Sequence, residues 1–401
     1  MLLLGKQLKD FREEDFASLK DGGVSESRAI EYKRDLPGIL GDERKEFLYD
    51  VAAMANGGGG CIFYGIDAKD GAIESSPGVP ANADKTRLDF ESRIRDGIAP
   101  RVRVHIWHCE LESKNNIFFI EIPPSWSAPH MVIYKDSNKF YSRNSSGKYR
   151  MSVDEIKAMI LNSAELPERI ERWISERLLS LANGDSAVRL HPLRWIAIHI
   201  VPTISMSRSA SLDVAEKAFE SVTLNREFRR KRYNLDGLLY HMDSTDDYGG
   251  QYLQIFRTGR IELVTAIRAE GFLINSSVQG DCLNVNQIEH DLIALVSRCL
   301  EFLQISEVEP PLTINVSSEG VKGLTAFIPP QNRSTFINLN AARREIQTNR
   351  LRLPSIWLED WKEAEEVDKL LRPAFNAFWN ACGWPNSPNY DEHGNWQAIH
   401  R

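Results

Sequence analysis

The sequence lacks most of the features that would assign it to a specialised class at sight. Its 5 cysteines among 401 residues are Cys61, Cys109, Cys282, Cys299 and Cys382. They form no C-x-x-C and no paired cysteine–histidine spacing, so neither a disulfide framework nor a structural zinc site is indicated. No apolar run is long enough to span a bilayer, and the opening MLLLGKQLKD is too short an apolar stretch for a secretory signal, which predicts a cytoplasmic protein. There is no internal repeat and no low-complexity block. The formal net charge of -7 argues against attraction of nucleic acid by overall charge, although a local basic groove can coexist with an acidic total.

One further absence concerns the glycine run Gly57–Gly60. A phosphate loop needs strand, glycines, then the start of a helix, usually with G-K-[ST]. Here the order is helix, glycines, strand, so the negative end of the helix dipole faces the glycines and a nucleotide cradle is disfavoured.

What is present is ordinary globular material. Hydrophobic residues make up 42% and charged residues 26%, enough for a real core, and the length suggests two or three domains. The spacing predicts a short strand at Ala29–Lys33, with Ile30 and Tyr32 on one face and Glu31 and Lys33 on the other. A helix follows, capped by Asp42, with Phe47, Leu48, Val51, Met54 and Ala55 recurring at helical spacing and Asn56-Gly57 ending it. CIFYGI is a buried strand that delivers Asp67 to its carboxyl end. A helix is expected from about Asp84 to Asp96. RVRVHIWH should be a half-buried strand with Val102, Val104 and Ile106 on one face, pairing with NIFFIEI. A Pro-rich loop, IPPSWSAPH, leads to a strand near Val132 and then to KFYSRNSSGKYR. Ser152 and Glu155 form a capping box that starts the next helix.

The expected fold class is α+β, in three parts: a mixed α/β domain over 1–163, a linking helix over 164–184 begun by Pro167 and ended at Asn183-Gly184, and a second α+β domain over 185–401. The second domain should contain strands at RWIAIHIV, QYLQIFR and RIELVTAI, a long amphipathic helix over NQIEHDLIALVSRCLEFLQI, strands at LTINVSS and LTAFIP, and a helix near KLLRPAFNAFWNACG.

Chemistry concentrates in the first domain. Glu26 lies just before the first strand, Glu31 and Lys33 leave its polar face, and Asp67 leaves a neighbouring strand. Carboxylates at that density suit a hard divalent cation, magnesium or manganese, which polarises a phosphoryl oxygen and activates its bound water. The plainer alternative is an exposed Glu–Lys pair on a solvated sheet face. Lys33 has two roles open to it, charge stabilisation at a phosphoryl group or an ion pair with Glu31. Tyr141 and Arg143 on the FYSR strand are candidates to stack a base and hold a phosphate, with strand packing as the alternative. His130, in the Pro-rich loop without an evident acidic partner, is a candidate substrate contact or a structural histidine. Outside this domain, NREFRRKRYN sets Arg229, Arg230, Lys231 and Arg232 among aromatics in a pattern that could follow a nucleic-acid backbone, though a charge run is commonly a solvated face. RREIQTNRLRL is a weaker basic stretch.

The blocks SESRAIEYK, FLYDVAAMANGGGGCIFYGID, IPPSWSAPH and FYSRNSSGKYRMSVDEI together resemble the Schlafen AlbA-type domain, also described as a divergent ATPase-like or DNA-binding domain, over roughly residues 20 to 163. In Schlafen proteins that cut RNA, two glutamates five apart and a later aspartate form the nuclease centre. By that resemblance Glu26, Glu31 and Asp67 would be catalytic and metal-binding, and Lys33 belongs to the adjoining E-[FY]-K. The resemblance implies a metal-dependent endoribonuclease, a hydrolase acting on tRNA-like RNA in antiviral defence or stress response, with the C-terminal domain sensing or restraining it. Relatives that build a groove from two such lobes suggest a homodimer for this single copy. The alternatives are a non-enzymatic DNA-binding transcriptional regulator and an ATP-binding switch.

Overall fold

The computed structural model describes residues 2–4, 6–144, 147–188, 194–206, 230–241, 251–267, 269–274, 277–327 and 345–397. The chain divides into two compact units, Met1–Glu165 and Leu166–Arg401.

The first unit is built around β1 (Ile30–Lys33), β2 (Gly60–Tyr64), β3 (His105–Glu110) and β4 (Asn116–Ile122), in the order β1-β2-β4-β3. β1 and β2 run parallel, and the other pairs are antiparallel. Every residue of β2 is buried, as expected for a strand covered on both faces. On one side, Cys61 and Phe63 face a core formed with Leu8, Ile30, Tyr32 and the Phe16 and Leu19 side chains of helix α1 (Glu13–Asp21). On the other, Ile62 and Tyr64 pack with Phe47, Leu48, Val51 and Met54 of helix α2 (Gly41–Asn56) and with Phe90 and Ile94 of α3 (Ala83–Gly97). β1 shows the expected two-residue alternation, with Ile30 and Tyr32 buried and Glu31 and Lys33 half-buried.

A second sheet lies against α2. It comprises β5 (Met131–Val132), β6 (Lys139–Asn144) and β7 (Gly147–Arg150), with the two-residue strand Ile98–Ala99 on the far side of β5. Helix α4 (Val153–Ala164) closes the unit, and its Ser152–Glu155 capping box is formed as predicted.

Two local expectations need correction. Asp42 is not the cap of α2: Leu40 holds that position without a side-chain bond, and Asp42 lies inside the first turn, where its charge favours the dipole. The strand predicted from RVRVHIWH starts only at His105. Val102 is buried nevertheless.

The second unit opens with helix α5 (Leu166–Ala182), the segment expected as the link, whose Ile170, Ile174, Leu178 and Leu181 form a buried stripe. An eight-stranded sheet follows: β8 (Trp195–Pro202), β9 (Arg230–Asn234), β10 (Gly237–His241), β11 (Gln251–Phe256), β12 (Ile261–Ala266), β13 (Leu312–Glu319), β14 (Arg350–Arg352) and β15 (Ile356–Leu358). Its order is β9-β10-β11-β12-β8-β13-β14, with β15 also on β13. One face is apolar and packs on α6 (Val285–Ile305) and α7 (Val367–Ala381).

The other face carries a buried carboxylate. Glu262 accepts two bonds from Arg177 of α5, at 2.8 and 2.7 Å, one from Tyr252 at 2.8 Å, and lies 3.0 Å from His199 Nε2. Burial pushes its pKa up, but the Arg177 and His199 bonds outweigh that and hold it at about 2. A group depressed in the folded state stabilises above its unfolded value, and that contribution is lost as pH falls through it. The window runs from the ordinary 4.5 down to about 2. The contribution at neutral pH is on the order of 3 kcal/mol. Glu262→Gln, which leaves Arg177 uncompensated, is expected to lower stability at pH 7 by roughly 3 kcal/mol. It should also flatten the acid-side loss, and urea unfolding at neutral pH and near pH 3 measures both effects.

Candidate nucleic-acid interface

Three elements converge where β1, α2 and the β6–β7 hairpin meet. Glu31 stands opposite Ile62 in the parallel register, so the polar face of β1 is the face that α2 covers. The plainer expectation for Glu31 and Lys33, a solvated sheet face, is therefore replaced by the flank of a helix. Four residues separate Glu46 and Asp50, which puts both on one stripe of α2. Arg143 and Lys148 are cross-strand partners in β6–β7. These positions bring three carboxylates and three cations together.

The connections run through the whole group. Lys33 Nζ lies 2.7 Å from Glu31 Oε1 and 3.8 Å from Asp50 Oδ2. Lys148 Nζ lies 2.7 Å from Asp50 Oδ1 and 2.5 Å from Glu46 Oε2. The Arg143 guanidinium pairs with the other oxygen of Glu31 and donates to the Ser27 carbonyl at 3.3 Å. Depth grades across the group: the Arg143 side chain is 5% exposed, Asp50 9%, Glu31 15%, Lys148 20%, Lys33 38% and Glu46 62%, so Lys33 and Glu46 form the rim with Lys148 just behind them.

Titration follows this grading. Burial pushes the Glu31 carboxyl up, but Lys33 and Arg143 together bring it below its ordinary value. At Asp50 burial wins, and its carboxyl is raised despite Lys148 and Lys33. Burial pulls Lys33 and Lys148 down, yet the carboxylates around them leave both raised. The ammonium groups stay charged at neutral pH.

The residues expected to hold a metal do not gather. Glu26 accepts a 3.0 Å bond from the Tyr32 N–H, satisfying a donor on the open edge of β1. Asp67 pairs with Arg34 at 2.6 Å on the surface. Glu31 is engaged by two cations. Among the described residues no group of three or more His, Cys, Asp or Glu side chains is arranged to hold a metal ion. The residues as placed do not fit magnesium or manganese, since each acid has a different partner.

The remaining predicted residues fall into separate environments. Arg143 is interior and paired, not an exposed phosphate contact. His130 is completely buried, with Nδ1 at 2.8 Å from the Pro100 carbonyl and Nε2 at 2.6 Å from Ser125 Oγ. Burial lowers its pKa, and it ties the Pro-rich loop together without being available as a substrate contact. Tyr141 has one ring face against Tyr49, at 4.2 Å between centroids. Of the basic stretch, Arg229 lies outside the described residues. Arg230 and Arg232 are exposed on edge strand β9 with Lys231 alternating between them, and Arg232 donates to the Ala187 carbonyl at 3.4 Å.

Asn56, read from sequence only as a helix stop, has a larger role. Its Nδ2 donates to the carbonyls of His130 and Tyr141, at 2.9 and 2.8 Å, and its Oδ1 accepts from the His130 N–H at 2.7 Å. The end of α2 is thereby fastened to the Pro-rich loop and to β6. Just beyond it, Gly59 sits at φ +88°, where an added Cβ would come within 2.7 Å of the Ile122 carbonyl, so these glycines serve close backbone packing.

Residues 26–152 match the family model described as Schlafen, AlbA_2. This segment is a Schlafen AlbA_2 domain. Two solved structures are similar at low identity. The N-terminal domain of an ATP-dependent DNA helicase RecG-related protein from Nitrosomonas europaea is 16% identical, with 35% of this chain and 92% of that chain covered and a TM-score of 0.26. The DIP2311 protein from Corynebacterium diphtheriae is 15% identical, with 92% of this chain covered and a TM-score of 0.25, and this chain spans 61% of its length. Among curated proteins none matches. The AlbA_2 assignment supports a nucleic-acid-related function for the first unit, and no described helix is long and apolar enough to cross a membrane.

Replacing Asn56 tests how the AlbA_2 domain holds its interface together. Asn56→Ala leaves two buried carbonyls and one N–H without their partner, at an expected cost of about 2–4 kcal/mol in urea unfolding. Asn56→Asp is expected to be no milder, because a carboxylate cannot donate to the two carbonyls.

Proposed function

We propose that the AlbA_2 domain binds the phosphate backbone of nucleic acid, RNA in preference to DNA, at the face where β1, α2 and β6–β7 meet. The observation that carries this reading is the mixed-charge group itself. Its buried members are Asp50, Glu31 and the Arg143 guanidinium, and two ammonium groups lie further out beside the exposed Glu46, with Lys148 also 5.8 Å from the Tyr49 ring centroid. Three carboxylates balance three cations, so the group is neutral as a whole, and its two ammonium groups offer point contacts to a phosphate on a chain of net charge -7.

A second reading is a metal-dependent endoribonuclease centred on Glu26, Glu31 and Asp67. What favours it is the ease with which Asp67 could be recruited: the Asp67–Arg34 pair is exposed at 32% and 59%, and pairs of that kind contribute about 0–1 kcal/mol. Glu31 is the obstacle, because at least one of its two cations, Lys33 or Arg143, would have to leave it.

One experiment separates the readings. Purified protein is mixed with total RNA and with duplex DNA, in manganese or in chelator, alongside Glu31→Ala. Salt-sensitive RNA binding without cleavage, equal in both ion conditions, is the expected result. Manganese-dependent cutting lost in Glu31→Ala would replace it with the second reading. Tighter binding to DNA than to RNA would move the assignment to a DNA-binding regulator. Failure to bind either nucleic acid would overturn the proposal.

A further inference from the structure

We propose that Asp50 is a positioning residue that makes Lys33 and Lys148 a two-point grip for a single phosphodiester group. This rests on the nucleic-acid reading above and adds how the backbone is held. Asp50 was not singled out by any motif in the sequence. It projects from the middle of α2, and its two oxygens hold one lysine each: Oδ1 holds Lys148 at 2.7 Å and Oδ2 lies 3.8 Å from Lys33. The residue is 7% exposed, so the carboxylate lies beneath the ammonium groups and a ligand approaches from the other side.

An ammonium group carries three donors. Lys33 directs a donor to Glu31 and lies within ion-pair reach of Asp50, while Lys148 directs donors to Asp50 and Glu46. Of the carboxylates, Glu46 is the outermost, with 62% of its side chain exposed, and an exposed pair of this kind is readily exchanged for another anion. A phosphodiester has two non-bridging oxygens, as a carboxylate has two oxygens. Two cations already spread across one buried carboxylate are therefore spaced to receive a second anion of similar bite. Long lysine side chains lose substantial rotamer freedom when ordered on binding, and Asp50 removes much of that cost beforehand.

The inference predicts a sign opposite to simple electrostatics. Asp50→Asn adds one positive charge to the site, and net charge alone would tighten binding to RNA. If Asp50 positions the lysines, affinity for a single-stranded RNA oligonucleotide should instead fall roughly tenfold. The slope of log affinity against log salt should drop by about 0.7 for each lysine that no longer reaches a phosphate. Lys33→Gln and Lys148→Gln should each remove about one such increment, and neither should add its full effect in the Asp50→Asn background. Glu46→Gln should bind tighter than wild type, since the anion that competes for Lys148 is gone. Thermal melting establishes that each variant is folded, and the two lysine variants decide the matter should Asp50→Asn fail to fold. Tighter binding by Asp50→Asn, or salt slopes unchanged in both lysine variants while wild type binds RNA, would overturn the grip and leave the binding function standing. A wild type that binds no nucleic acid would remove the function itself.

Discussion

The first unit depends on how helix α2 lies across an edge strand. β1 has α2 over one face and apolar packing on the other, and its two charged side chains emerge beneath the helix. Charges placed there must be matched, since an unpaired buried ion costs several kcal/mol. The match comes from two other elements: Asp50 and Glu46 from the helix, Arg143 and Lys148 from the β6–β7 hairpin. The helix supplies only acids and the hairpin only cations, while β1 supplies one of each, paired at 2.7 Å. Assembly of the three is thus coupled, and removal of one member exposes the rest.

Such a network is a poor guide to stability. Replacing a buried ion group by apolar residues of similar volume is often neutral or stabilising, whereas removing one partner is costly. The group in this domain extends to half-exposed lysines at its rim, and an apolar repacking would have no use for them. The arrangement is better explained by what the ammonium groups can meet outside than by what they contribute to folding. The Glu262 hub in the second unit shows the contrast. It is fully buried, with Arg177, His199 and Tyr252 as partners, and it binds α5 to its sheet without a comparable rim.

Much of the fold was legible from local patterns. The alternation Ile30/Tyr32, the helical recurrence from Phe47 to Ala55, the Ser152–Glu155 box and the helix–glycine–strand order are all present. Each depends on a few neighbouring residues. The apolar stretches of the second unit were readable for the same reason, as with the strands Trp195–Pro202 and Ile261–Ala266 and the helix Val285–Ile305. The site was legible only in part. Glu31 and Lys33 were visible because they interrupt an apolar strand, but Asp50 sits in an amphipathic helix where an acid looks like any solvated residue. Lys148 lies in a stretch whose sequence reads as a polar turn, although it forms strand β7. What joins them is the cross-strand register Arg143–Lys148 and the packing of β6 on α2, and neither can be read from spacing along the chain. Glu26 misled for a related reason: an acid ahead of a strand reads as a ligand, while the open edge of β1 needs an acceptor for the Tyr32 N–H.

The competition at Glu31 then decides between binding and metal chemistry. Its carboxyl is lowered even though it is largely buried, because Lys33 and Arg143 supply more than burial removes. A divalent ion would have to displace at least one of these cations, and Arg143 is the harder to move, being buried and also bonded to the Ser27 carbonyl. Lys33 is the easier, since Asp50 offers it an alternative partner at 3.8 Å. The proposed phosphate binding needs no displacement at Glu31, because only the exposed Glu46 has to give way. On the charges that must be moved, backbone binding is the less costly use of this face.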